Sequence, residues 1–406
     1  MKVLIADKFE KVGIDGLKEL GASVVSRPEL TADELPRVLE EEDPNILIVR
    51  STKVTAAALQ AGKSLGLVIR AGAGIDTIDV PAASARGIFV SNCPGRNSVA
   101  VAELVMGLVL SCDRRIPDQV ADIRGGRWNK AEYSKARGLH GRTLGIVGLG
   151  QIGREIAVRA RAFGMHVAGW SRNLTIESAE LLGVTYCESP LEVARVSDVV
   201  SINVAATPET KHLVDAEFLG SMRRGAYLVN TSRGSVVDEA ALAEAVRTRG
   251  IRAGLDVFQS EPAGGTGEAT NPLVREPGVY VTHHVGASTE QAQTAIAHEV
   301  LRIVQEYAER GGVPNCVNRL AKSTATHVLS VRHQNRPGVL AHVFRELADR
   351  GVNVEEVENI IYHGAKATLA RVHLSSRPDE VALAAIRDGN PDIISVDLTA
   401  LDKAAP

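Results

Sequence analysis

Three polar side chains stand just past the ends of apolar runs in the second half of the chain. They are Arg233 in VNTSRGSVVDE, Glu261 in LDVFQSEP, and His284, with His283 before it, in VTHHVGAS. A forked guanidinium grips a carboxylate with two hydrogen bonds. An imidazole passes a proton to or from a hydroxyl near neutral pH. A carboxylate on its far nitrogen fixes the tautomer and favours imidazolium. These are the groups needed to interconvert a 2-hydroxy acid and a 2-keto acid. Each alone also has an ordinary structural explanation: an ion pair, a solvated carboxylate, a satisfied core imidazole. Their common placement after strands, where open α/β sheets bind ligands, gives the reading its weight.

Such chemistry needs a hydride carrier, and GIVGLGQIGREIA offers its cradle. Gly148, Gly150 and Gly153 have GxGxxG spacing between the apolar strand TLGIV and the helix GREIAVRARAFG. The first glycine permits the tight turn, the second lets backbone approach a pyrophosphate, and the third lets helix and strand pack. Gln151 and Ile152 follow the turn at the helix start, where free N–H groups face phosphates. The next strand, HVAGW, ends in Ser171, Arg172 and Asn173 instead of an acidic residue. A carboxylate there would repel a ribose 2′-phosphate, whereas Ser171 and Arg172 can bind one. The cofactor is therefore expected to be NAD or NADP.

The elements that position these groups are legible in outline. The 406 residues call for two or three domains. An apolar fraction of 45% with only 3% aromatics implies cores of Val, Ala, Leu and Ile, which suit parallel strands covered by helices. A formal charge of −3 argues against a nucleic-acid binder. Cys93, Cys112, Cys187 and Cys316 have no ligand or disulfide-framework spacing, so no metal is expected. MKVLIADKFE reads as a strand and not as a signal peptide, and VAVAELVMGLVL is too short to span a bilayer. A cytoplasmic protein without a membrane partner is expected. Residues 1 to about 95 alternate strands and helices. A long helix from about Asn97 leads through an irregular segment to a second βα series, which a helix over about 289–310 closes. That long helix, with few charges before Asp113, predicts an apolar face that a two-fold dimer would cover. The last 80 or so residues follow a βαββαβ order, with RPGVLAHVFRELADRG as a helix holding Pro337 in its first turn.

GLGQIG, NTSRGSVVDE, AGLDVFQSEP with NPL, and HHVGAST together resemble the D-2-hydroxyacid dehydrogenases, as do RSTKVT, RAGAGIDTID and NCPGRNSVAVAEL upstream. The resemblance covers nearly the whole chain. It implies two doubly wound parallel-sheet domains, one flavodoxin-like and one Rossmann, and a C-terminal ferredoxin-like module. It also implies a discontinuous substrate-binding domain (1–96 and 287–318) around an inserted dinucleotide-binding domain (97–286), then a linker (319–324) and the module (325–402). Carried over by residue, it makes Arg233 the carboxylate grip, His284 the acid–base group and Glu261 its support. His284 is preferred over His283 because the family pattern is His-x-Gly; His283 stands where the family commonly has Pro. Asp256 is implied at the nicotinamide carboxamide, with Thr231, Ser232, Gly286 and Ala287 lining the cofactor. The glycine-rich AGGTGEAT before NPL looks like an inserted surface loop.

HQNRPGVL resembles the opening of an ACT domain, an amino-acid-sensing module. With Arg50 and Ser51 in RSTKVT, and WNK, it is similar to the family branch that oxidises 3-phospho-D-glycerate in the first step of serine synthesis. The resemblance then implies that Arg50, Ser51, Lys53 and a partner subunit's Lys130 hold the phosphate, with Ala73 and Gly74 lining the substrate. His333, Asn335 and Asn353 match residues that bind L-serine between paired tails. A homodimer or homotetramer follows. Two alternatives remain open: an NADPH-dependent glyoxylate or hydroxypyruvate reductase, and a nucleotide-responsive binding protein on the same fold.

Overall fold

A computed structural model describes residues 1–262, 267–320 and 323–401. It divides into two compact units, Met1–Asn318 and the part from Arg319 onward. The first four residues of the AGGTGEAT loop, two residues of the 319–324 linker and residue 402 lie outside the described residues.

The first unit holds two parallel sheets. The N-terminal one comprises β1 (Lys2–Ile5), β2 (Ser23–Ser26), β3 (Ile46–Val49), β4 (Leu67–Arg70) and β5 (Phe89–Asn92), in the order β2-β1-β3-β4-β5. This is the flavodoxin-like order. Its central strands, ILIV and LVIR, are short apolar runs because both faces are covered. One face packs against Leu35, Leu39, Ala58 and Leu59. The other receives Ile296, Val300, Ile303 and Val304 of the Glu290–Arg310 helix, so the chain returns to this sheet after leaving it.

The second sheet comprises β6 (Thr143–Val147), β7 (His166–Trp170), β8 (Thr185–Tyr186), β9 (Val199–Ile202), β10 (Tyr227–Asn230), β11 (Arg252–Leu255) and β12 (Val279–Val281). Its order is β12-β11-β10-β9-β6-β7-β8, parallel throughout. The strand order reverses at β6, between β9 and β7, and the glycine turn follows β6 at that switch point.

The Ser98–Arg114 helix corrects the sequence expectation. Ala102, Val105, Met106, Leu108, Val109 and Cys112 are buried against this second sheet within the same chain, so most of the apolar face is covered there, while Val99 stays exposed and Leu104 and Leu110 are half-buried. Another cluster of exposed apolar side chains is formed by Ile116, Val120 and Ile123 of a further helix, Ile116–Arg124, and by Trp128. The segment read as irregular thus contains a helix with no buried residue, whose start is marked by Pro117 after Arg115 at φ 55°.

The second unit carries β13 (His327–Gln334), β14 (Val354–Ile361), β15 (Ala367–Leu374) and β16 (Ile393–Ala400) in antiparallel order β14-β15-β13-β16, with helices Val339–Ala348 and Glu380–Asp388. Its core joins Leu329, Val331, Val343, Leu347, Ala370, Val372 and Ile386. The first helix begins after Pro337 and not around it. Gly338 adopts φ 89°, a left-handed conformation that ends the preceding extended segment and sets the helix start at Val339. No helix among the described residues is long and apolar enough to cross a membrane.

Candidate active site

The glycine turn has the geometry its spacing predicts. Gly148 has φ 103°, and a β-carbon there would lie 2.6 Å from the Asn203 carbonyl oxygen. A β-carbon on Gly153 would strike the Gly148 carbonyl, so that position binds helix to strand. A β-carbon on Gly150 would meet nothing within 4 Å and would project into the open space above the turn. The helix opens at Gln151, with Ile152 and Gly153 in its first turn and no side chain capping its N–H groups. A pyrophosphate fits this cradle. At the C-terminal end of β10, the Thr231 hydroxyl is buried with no partner. Ser171 and Arg172 follow β7; Arg172 is exposed and forms no hydrogen bond among the described residues.

Buried Asn230 shapes the turn that presents Arg233. Its Oδ1 accepts the Ser232 N–H at 3.0 Å and the Ser232 hydroxyl at 2.7 Å, while its Nδ2 donates to the Arg233 carbonyl at 2.9 Å. Arg233 Nε then donates to Asp76 Oδ2 at 2.7 Å. The guanidinium lies so close over Gly74 that a β-carbon there would collide with it. Ala73 is next to it, its carbonyl taken by Asn92 Nδ2 at 2.6 Å. Arg233, Ala73 and Gly74 are therefore together, although they come from different sheets.

His284 Nδ1 and Glu261 Oε2 are 2.8 Å apart. Burial works to raise the Glu261 carboxyl, but the bond from His284, the Phe258 N–H and the charge of Arg233 outweigh it. The carboxyl therefore lies below its ordinary value. His284 itself has φ 53°, and Ser260, before Glu261, has φ 61°. Non-glycine residues in this region are strained and persist where surrounding bonds over-determine them. Asp256 provides such bonds. It is 2% exposed, and its carboxylate accepts the Thr282 hydroxyl at 2.6 Å, the Val285 N–H at 2.9 Å and the Gly286 N–H at 2.8 Å. Asp256 thus braces the segment carrying His284. Ala287 follows, its carbonyl accepting from Gln293 at 2.6 Å. His283 is exposed beside the pair and has no side-chain hydrogen bond among the described residues.

The Arg50–Thr52 turn has a feature the sequence did not reveal. Asp7 Oδ2 accepts the N–H groups of Arg50, Ser51 and Thr52 at 2.7, 3.2 and 3.2 Å. The backbone there is spoken for, which leaves the Arg50 guanidinium, the Ser51 hydroxyl and the Lys53 ammonium to meet an anion. Arg50 Nη2 reaches Ser288 Oγ at 3.3 Å, just beyond His284. Arg70, at the end of β4, was also missed. Burial and then the neighbouring charges of Arg233 and Arg50 push its guanidinium below the ordinary value, against Asp76, and its Nε is buried without a partner. Its placement at the C-terminal end of a parallel strand was the available signal. Asn97, whose buried Oδ1 is also unpartnered, was missed as well. Lys130 stands apart from this cluster. It lines a surface pocket of about 250 Å³ with Gln119, Ile123, Trp128 and Tyr133.

In the second unit the residues singled out do not meet. His333 is 3% exposed, with Nε2 unpartnered beside the equally buried and unpartnered Thr368 hydroxyl on β15. Asn335 Nδ2 donates to the Ala365 carbonyl at 3.0 Å. Asn353 lies by Ser375, at the opposite end of β15, and donates to Glu355 at 3.0 Å.

The profile described as "D-isomer specific 2-hydroxyacid dehydrogenase, NAD binding domain" matches residues 106–286, and that of the ACT domain matches residues 327–358. The chain is similar to a D-3-phosphoglycerate dehydrogenase of Methanocaldococcus jannaschii, with 35% identity over 97% of this chain and 74% of that protein. A Synechocystis protein of the same name is 37% identical over 75% of this chain, but only 54% of its own length is covered. A hydroxypyruvate reductase of Thermotoga maritima is 38% identical over 74% of this chain and 96% of its own.

Proposed function

The chain belongs to the D-isomer specific 2-hydroxyacid dehydrogenase family, and from that premise we propose that it oxidises 3-phospho-D-glycerate to 3-phosphohydroxypyruvate, with NAD or NADP as the coenzyme. When bound, the coenzyme supplies the hydride acceptor. Gly148, Gly150, Gln151, Ile152 and Gly153 would hold its pyrophosphate, Ser171 and Arg172 its adenosine ribose, and Thr231, Ser232, Asp256, Gly286 and Ala287 its nicotinamide half. The substrate half is residues 1–96 with 287–318, and the dinucleotide half is 97–286. Arg233 grips the substrate carboxylate with Nη2 and the remaining N–H of Nη1, while Asp76 through Nε and the Ser232 carbonyl through Nη1, both at 2.7 Å, fix the guanidinium. His284 takes the proton of the 2-hydroxyl through Nε2. Glu261 holds Nδ1, which keeps Nε2 aimed at substrate and offsets the positive charge that the imidazole gains.

The observation that supports the phosphorylated substrate is the Arg50 turn. Asp7 Oδ2 takes the backbone N–H groups of Arg50, Ser51 and Thr52, and the Arg50 guanidinium reaches Ser288, four residues past His284. Its remaining N–H groups, with the Ser51 hydroxyl and the Lys53 ammonium, are donors suited to a phosphate beside the substrate carboxylate. The test is Arg50→Ala. It should lower kcat/KM for the phosphorylated substrate by roughly tenfold more than for unphosphorylated D-glycerate. Equal losses would remove the phosphate assignment. The reductase reading is favoured by Arg172 and by the Thermotoga maritima relative. Turnover of phosphohydroxypyruvate against hydroxypyruvate separates the two.

The ACT unit gives the enzyme an amino-acid-responsive module. His333 and Asn353 lie at opposite ends of β15, roughly 20 Å apart at strand rise. A site using His333, Asn335 and Asn353 together therefore needs two copies paired head to tail, which edge strand β14 allows. L-serine is the proposed effector; millimolar L-serine that leaves both rate and Tm unchanged would end that reading. The exposed Ile116, Val120, Ile123 and Trp128 are the proposed surface for a homodimer, with Lys130 on it. The proposed location is the cytoplasm.

A further inference from the structure

The geometry points to Glu239 as a positioning residue of the acid–base pair, an inference that rests on the His284–Glu261 roles proposed above. In the sequence Glu239 is only the first residue of the Glu239–Arg249 helix, where an acidic side chain is sufficiently explained by the helix dipole. In the fold it faces the other way. Its Oε1 accepts the backbone N–H of Gln259, and its Oε2 accepts Asn271 Nδ2 at 2.6 Å. Asn271, 7% exposed, closes the circuit by donating to the Gln259 carbonyl at 3.1 Å. One carboxylate thus ties Gln259 to Asn271 within the connection between β11, which ends at Leu255, and β12, which begins at Val279, and Glu261 stands two residues after Gln259.

The fastening matters because the segment is strained. Ser260 at φ 61° turns the chain so that Glu261 Oε1 accepts the Phe258 N–H at 3.0 Å while Oε2 faces His284. Phe258 also lies against Gly234, next to Arg233; a β-carbon on Gly234 would collide with its backbone. Residues 258–261 are thus held on one side by the Arg233 turn and on the other by Glu239. Without Glu239, two buried or half-buried donors lose their acceptor, and Ser260 has less to keep it left-handed. Glu261 would then spend part of its time away from His284. Glu239 touches neither substrate nor coenzyme and acts only through Glu261.

The experiment compares Glu239→Ala, Glu239→Gln and Glu261→Gln in the full chain. Readouts are kcat, KM for 3-phospho-D-glycerate and for NAD, Tm, and the downfield proton signal of the His284 Nδ1–H in 15N-histidine-labelled protein, identified by its loss in His284→Ala. In Glu239→Ala we expect kcat to fall on the order of tenfold, as small misplacements of a catalytic group do. KM for NAD should stay within about twofold, and the Nδ1–H signal should be broadened or lost, as in Glu261→Gln. Glu239→Gln keeps the shape but presents an N–H to one of two donors, so it should fall between. Unchanged kcat and an intact signal in both Glu239 variants, at whatever Tm, would overturn the role. A rise of KM for NAD in step with a loss of kcat, with the signal intact, would overturn it too, because that is general loosening. If Glu261→Gln itself keeps wild-type kcat and signal, the acid–base pair is wrong and the Glu239 role falls with it.

Discussion

The glycine turn at 148–153 and the segments at 231–233, 258–261 and 282–286, which carry the proposed Arg233, Glu261 and His284, follow strands of one sheet but are held in different ways. The turn is specified by what its residues lack. Gly148 and Gly153 leave out β-carbons that would strike neighbouring backbone, and Gly150 leaves its space open. The segments carrying Arg233, Glu261 and His284 are specified by distant side chains. Asn230 shapes the Arg233 turn, Asp76 reaches it from the other sheet, Asp256 braces the His284 segment, and Glu239 with Asn271 fastens the Glu261 segment. A turn built by omission keeps its shape without partners. A site built by bracing depends on residues far away in the chain. The two regions should therefore fail differently.

The largest expected effect is in the braced site. His284→Ala should lower kcat/KM on the order of a thousandfold, the usual worth of a positioned acid–base group, with coenzyme affinity, measured by quenching of protein fluorescence, unchanged. A parallel loss of coenzyme affinity would mean that the two regions are not separable. In the turn, Gly150→Val should weaken coenzyme binding by roughly a hundredfold while kcat at saturating coenzyme falls little, because the side chain enters the cradle without touching the fold. Gly153→Ala should instead lower Tm, since its methyl group meets the Gly148 carbonyl and the fold must open to admit it, at about 1–3 kcal/mol. Equal behaviour of these two glycine variants would break the assignment of different tasks within one motif.

This difference also explains what the sequence made legible. GxGxxG is a local rule, and each glycine has a reason within a few residues of itself. The apolar runs ILIV and LVIR likewise announce strands covered on both faces. The residues of the pair, Glu261 and His284, were legible as types at strand ends. The braces of the site were not: Asp7 under the Arg50 turn, Asp76 on Arg233, and Glu239 and Asn271 behind Glu261 act across 43, 157, 20 and 32 positions, and nothing near them in the chain marks the partner. The Ser98–Arg114 helix misled for the same reason. Its apolar stripe reads as an interface, because the strands that bury it, from β6 to β12, all come later in the chain. Only the fold shows that Ile116, Val120 and Ile123 of the next helix are exposed together.

Glu261→Gln should lower kcat by roughly ten- to a hundredfold. It also tests how much of the brace is electrostatic. The folded Glu261 carboxyl lies below its ordinary value, so the ionised form contributes stability at neutral pH. That contribution is present above the ordinary carboxylate range and is lost as pH falls through the lowered folded value. The Tm gap between wild type and Glu261→Gln should therefore narrow as pH drops from about 7 to below about 4. A gap independent of pH would show that the pair is held by shape alone.

The smallest expected effect concerns the one place where the turn region relies on a charge. Arg172 is exposed past β7 and bonds to nothing among the described residues, so the fold spends no structural bond on it. A guanidinium left free beside the adenosine end of a dinucleotide cradle has a use if a 2′-phosphate is present and little if it is absent. Arg172→Ala should raise KM for NADP by about fivefold and KM for NAD by less than about twofold, with Tm unaltered. Raising the salt concentration should shrink the NADP penalty, because an exposed pair is screened. If both coenzymes weaken equally, Arg172 serves the adenine or the ribose ring and not a phosphate. Coenzyme choice would then lie with Ser171 and the open space around it, and the turn region, like the Gly150 cradle, would discriminate by shape and not by charge.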